Sequence, residues 1–150
     1  MKKIIRFGQL GALMLLGWLS PGLAVADVVL VGSNGLPFVE ISKTKLRDLY
    51  TGQSQQVGET AVLVIDRDEQ FGERSHFIYN TLGFTTEEFS TVQRLLECIG
   101  VSKTPMVAKS PGQMIEMITR NPNALGYLSK KELAELPTQT KLRQIRVLPQ

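Results

Sequence analysis

With a single cysteine, Cys98, the chain can form no disulfide within itself. One histidine, His76, is too few for a histidine-based metal motif. Beyond residue 26 no apolar run has the length needed to cross a bilayer, so residues 27–150 are expected not to span a membrane. Nor is there an excess of one charge there. The formal net charge of +3 resides in Lys2, Lys3 and Arg6, and residues 27–150 are balanced, which removes the basic patch that nucleic-acid binding requires. No Gly-x-Ser-x-Gly elbow is present. Ser75 and His76 are neighbours on a predicted helix and point about 100° apart, so they are not read as nucleophile and base. No catalytic residue, metal or cofactor is assigned.

What is present begins with an export signal. Lys2, Lys3 and Arg6 precede an apolar run from Phe7 to Leu19, then Ser20-Pro21-Gly22, then the small-x-small triplet Ala24-Val25-Ala26. This pattern predicts a signal peptide over residues 1–26, cleaved after Ala26, and a periplasmic protein of residues 27–150. That length suits one domain with one core. Cys98, within Leu95-Leu96-Glu97-Cys98-Ile99, is expected as a small apolar core residue.

The remaining chain alternates strand and helix signals. Asp27 to Gly32 reads as a strand, followed by the turn-rich Ser33-Asn34-Gly35-Leu36-Pro37. Ser42 caps a helix that buries Leu46, Leu49 and Tyr50 and ends at Thr51-Gly52. Ala61 to Ile65 is a continuous apolar strand. Thr85 and Glu88 form a capping box for a helix whose apolar stripe is Phe89, Val92, Leu96 and Ile99. Met106 to Ala108 is a short strand. Ser110, Pro111 and Gln113 open another helix, which buries Met114, Ile115, Met117 and Ile118. Ala124 to Leu128 is a strand, Ser129 and Glu132 cap a further helix, and Ile145 to Leu148 is the last strand. The alternation predicts an α/β domain with a mostly parallel central sheet and helices on both faces.

The best candidate site is Ile65 to Phe77, where a strand end rich in charge feeds a helix start. Arg67, Gly72, Arg74 and Ser75 offer a planar fork, close backbone approach and further donors for an oxyanion. Asp66, Asp68, Glu69 and Glu73 outnumber the two arginines, so surface pairing of these charges competes with a ligand site. Ser33 and Asn34, at another strand end, are candidate donors, and Lys109 and Ser110 are placed on the same rim.

Three segments then carry a resemblance. Leu46-Arg47-Asp48-Leu49-Tyr50-Thr51-Gly52, Ile65 to Phe77, and Asn121-Pro122-Asn123-Ala124-Leu125-Gly126-Tyr127 are similar, in that order, to motifs of the periplasmic phosphate-binding proteins of ABC transporters. The resemblance covers most of Ile41 to Ser129. It implies a single periplasmic-binding-protein-like lobe that takes phosphate or another small oxyanion for a transporter or sensor. Arg67 matches the family's ligand arginine and Gly72 the glycine of its serine-glycine-threonine cradle, whereas Phe71 and Glu73 stand in place of the two hydroxyl residues. The alternative is a single-lobe scaffold, without a small ligand, whose open face contacts a membrane sensor, a transporter or a second copy of the chain.

Overall fold

The computed structural model describes residues 27–101 and 103–149. The predicted signal peptide, its cleavage point and Trp18 lie outside the described residues.

Among the described residues, nine strands and five helices follow in chain order. They are β1 (Val28–Ser33), β2 (Glu40–Ser42), α1 (Lys43–Thr51), β3 (Gln56–Val57), β4 (Thr60–Ala61), β5 (Leu63–Arg67) and α2 (Gly72–His76). The chain continues with α3 (Thr86–Cys98), β6 (Met106–Ala108), α4 (Pro111–Arg120), β7 (Ala124–Ser129), α5 (Lys130–Ala134), β8 (Leu142–Gln144) and β9 (Arg146–Leu148). A wide, π-helical segment, Phe77–Leu82, continues α2 and buries Phe77, Ile78 and Leu82 before Gly83 ends it at φ 77°.

The helix ends follow their local chemistry. Ser42 Oγ accepts from the Lys45 amide at the start of α1, and Gly52 closes that helix in the left-handed conformation. Both reciprocal bonds of the capping boxes at Thr85–Glu88 and Ser129–Glu132 are present. The polar loop before β5 holds the small β3–β4 hairpin, which turns at Gly58 with φ 59°.

The central sheet has the order β6-β5-β7-β1-β8. Strands β6, β5, β7 and β8 run one way, and β1 runs against both its neighbours. The sheet is thus mostly parallel, with one reversed strand inside it. Side-chain alternation feeds two cores, one on each face. Leu30, Val64, Leu125 and Tyr127 pack with α1, Phe77, Ile78 and Phe89 on one face. Val31, Ile65, Ala124 and Leu128 pack with Met114 and Ile118 of α4 on the other.

A second, two-stranded sheet joins β2 to β9 in parallel. It brings the ends of the described fold together, since Val28, Val29 and Leu30 line the same cavity as Val147, Leu148 and Pro149.

Two expectations fail on α3. Its stripe is fully buried only at Phe89; Val92 and Leu96 are half-buried and Ile99 stands 69% exposed. Cys98 is exposed rather than a core residue. The physical reason is that the core cluster takes only Phe89, near the start of this helix, as a buried member.

Candidate functional site

Strand β5 runs two residues further than its apolar composition suggests. It includes Asp66 and Arg67, which are only 4% and 2% exposed. Charges this deep persist only when paired and hydrogen-bonded, and both are. Alternation along the strand sends the two side chains different ways.

Asp66 faces α2. Its Oδ2 accepts from Arg74 Nε at 3.0 Å, and its Oδ1 accepts from the Tyr127 hydroxyl at 2.6 Å and the Arg67 amide at 2.8 Å. The Tyr127 ring stacks on Phe77 with centroids 4.0 Å apart. Burial, and then the adjacent Asp66 carboxylate, push the Tyr127 phenol far above its ordinary pKa. Tyr50 is raised for the same reasons, in the same order, and its hydroxyl donates to the Ile65 carbonyl at 3.2 Å.

Arg67 reaches toward α5. Its Nη1 and Nη2 donate to Oε1 and Oε2 of Glu132 at 3.0 and 2.5 Å, a two-pronged pair, and Glu73 lies 3.8 Å from Nη1. Glu132 is itself fixed, because its Oε2 also accepts from the Ser129 amide at 2.8 Å as half of the α5 capping box. Burial opposes ionisation of Glu132. The hydrogen bonds from Arg67 and Ser129, with the Arg67 charge, outweigh it and hold the carboxyl below its ordinary pKa. The Arg67 Nε is buried with no partner.

Both arginines line a pocket of about 360 Å³, together with Asp66, Asp68, Glu69, Gln93, Thr104, Pro105 and Val107. With Arg67 on Glu132 and Arg74 on Asp66, the charges lining this pocket that lie outside an ion pair are those of Asp68 and Glu69. Among the described residues, no cluster of histidine, cysteine and carboxylates is built to hold a metal ion.

The remaining candidates divide. Gly72, the first residue of α2, is exposed, and nothing lies within 4 Å of where a side chain would project. Ser75 is exposed on α2, one residue after Arg74. Lys109 and Ser110 follow Ala108, which pairs with Arg67, so they do share the rim at the end of β5.

Ser33 and Asn34 do not share it. Because β1 is reversed, Gly32 is level with Leu125 and through it with Val64. Ser33 therefore sits at the start of β5, about 13 Å from the level of Arg67 at a normal strand rise. Its Oγ accepts from the Gly35 amide at 3.3 Å, and the Asn34 carbonyl accepts from Arg143 at 2.6 Å. A parallel β1 would put both on the rim with Arg67; the reversed strand puts them at the opposite end of the sheet.

Sequence reasoning read Glu132 only as a helix cap and Tyr127 only as a strand residue. Long-range pairing, 65 residues apart for Arg67 and Glu132, leaves no local signal in the chain.

No protein-family model and no curated protein matches the chain. Solved structures do. PstS from Borrelia burgdorferi superposes with a TM-score of 0.63 at 23% identity, over 81% of this chain and 47% of its own. The fold is that of a periplasmic binding protein. An ABC-type phosphate transport receptor from Vibrio cholerae matches at TM-score 0.61 and 19% identity, over 81% of this chain and 46% of that one. A phosphate transporter substrate-binding protein from Clostridium perfringens, solved with bound phosphate, matches at 0.60 and 18%, over 81% and 44%. The chain spans less than half the length of each of these neighbours. Among the described residues no helix is long and apolar enough to cross a membrane.

Proposed function

We propose that the protein is an exported, periplasmic, non-enzymatic binding module in which Glu132 stands where an anion would sit on Arg67. On this reading it serves as an interaction or regulatory partner of a membrane transporter or sensor, not as a carrier of free phosphate. One observation carries it: both terminal nitrogens of Arg67 are held by a carboxylate that is itself tied into a helix cap. A phosphate ion must displace that carboxylate, and each charge-assisted bond contributes about 1.5–3 kcal/mol. Asp68 and Glu69 at the rim add repulsion. The phosphate receptors with the same fold are matched over less than half of their length.

A second reading keeps an oxyanion site at Arg67, Gly72 and Arg74, with Ser75 at its edge. The unpartnered Arg67 Nε favours it, as does the phosphate bound in one structural neighbour.

Thermal melting of residues 27–150 in phosphate, sulfate or chloride at matched ionic strength separates the two. Glu132→Gln keeps the capping box but removes the negative charge held against Arg67. Under the first reading the wild type is indifferent to phosphate and Glu132→Gln gains a phosphate-specific rise. Ligand at a hundred times its Kd adds about 2.7 kcal/mol. A phosphate-specific rise in the wild type, abolished by Arg67→Ala, establishes the oxyanion site instead.

A further inference from the structure

We infer that the edge formed by the second half of α3 and by β6 is a surface for a second copy of this chain. This deepens the partner reading above and rests on it. Leu95, Ile99, Val101, Met106 and Val107 are 61, 69, 49, 46 and 46% exposed. The Thr104 hydroxyl donates to Glu97 at 2.6 Å and ties the entry of β6 to α3, while Met106 and Val107, neighbours on the edge strand, project to its opposite faces. The helix end is well formed and turns the apolar residues outward. Gly100 takes φ 71°, its amide donates to the Glu97 carbonyl, and the Val101 amide donates back to Leu96, the paired bonds of a Schellman close.

Two features single out a second copy as the occupant. First, β6 is the last strand of the sheet and has β5 on one side only. Its outer row of amides and carbonyls is a template for another strand, and twofold pairing of β6 with β6 of a second copy uses it while closing the assembly. Second, the amount of surface is right. The five residues together expose on the order of 500 Å² on the two faces of this edge, within the range of a monomer's largest exposed patch. Burying both edges in full removes about 1,000 Å², the lower limit for a specific interface. The rim carries both signs, with Arg94 and Lys103 against Glu97, all exposed. Such a rim complements itself across a twofold axis, whereas a partner of one strong charge would call for a rim of the other.

Sedimentation equilibrium of residues 27–150, run under reducing conditions so that Cys98 cannot crosslink copies, reads the association directly. The wild type is expected to approach twice the chain mass as concentration rises. Leu95→Asp with Ile99→Asp should weaken association at least about tenfold, with the circular dichroism melt unchanged because both positions are exposed. A wild type that stays monomeric to about 200 μM, well above the Kd range of specific interfaces of this size, overturns the inference. A dimer equally tight in the double variant overturns it too, by locating the contact elsewhere. Sedimentation reads association without phosphate, and melting of Glu132→Gln reads phosphate without association, so failure here is distinguishable from failure of the reading of Arg67 and Glu132.

Discussion

Replacing Asp66 with alanine should be among the most damaging single changes in this protein. Asp66 holds three partners at once: the buried Arg74 guanidinium, the Tyr127 hydroxyl and the Arg67 amide. Its loss strands a cation that is 6% exposed, and removing one member of a buried pair costs about 3–5 kcal/mol. The orphaned Tyr127 hydroxyl alone would cost about 1–3 kcal/mol, but the two losses share one carboxylate and will not add in full. A total near 4 kcal/mol is the expectation, against a typical domain stability of about 5–15 kcal/mol. For a domain of this size that lowers Tm by about 15 °C. Urea unfolding followed by far-UV circular dichroism is the suitable assay, because residues 27–150 contain no tryptophan. Arg74→Met combined with Asp66→Ala should recover a large part of the loss, since no unpaired charge remains. A loss below about 1 kcal/mol for the single variant, or a double variant as unstable as the summed singles, would refute the assignment of Asp66 as the keystone of this network.

The acid limb of stability should depend on Glu132. Its carboxyl is held below its ordinary pKa in the fold, so its contribution is complete above about pH 5 and is lost as pH falls below about 4; Glu132→Gln should flatten that limb in a pH series of melts. Gly126→Ala should destabilise by about 1–3 kcal/mol, because the new Cβ would come within 2.6 Å of Met114 Sδ and 2.9 Å of Ile118 Cδ1; denaturant titration checks it, and an unchanged midpoint would show that α4 yields freely. Thr85→Ala removes the cap at the start of α3, where Thr85 Oγ1 accepts from the Glu88 amide at 3.2 Å, and should cost about 1 kcal/mol in the same assay.

The local code of the chain was readable wherever a helix boundary was set by neighbouring residues. Ser42, Thr85, Ser110 and Ser129 all accept the capping bonds that their spacing predicts. Strand direction was not readable in the same way. Nothing local distinguishes a reversed β1 from a parallel one, since its apolar side chains face helices on both sides either way, and Ser33 and Asn34 were misplaced as a result. The candidate site was legible in its residues and not in their pairing. Asp66 and Arg67 lay beyond the strand read from the sequence because charge ordinarily ends a buried strand, yet Asp66 is neutralised by Arg74 on the following helix and Arg67 by Glu132, 65 residues on. The apolar stripe of α3 illustrates the reverse error. Periodicity reports that a face is apolar and leaves open whether the same chain covers it.

The meeting of the two ends of the fold has a consequence for how such a unit can be inherited. Val28 and Pro149 border the same cavity, and β9 finishes beside β2, one strand after the chain sets out. A polypeptide with its entry and exit side by side can be spliced into a single turn of a host protein at small entropic cost, because the host's own loop need scarcely widen. It can also be cut out again without unpicking a sheet. The architecture behaves as a cassette: the same hundred-odd residues are equally suited to life as a free-standing chain or as an insert carried within a longer one.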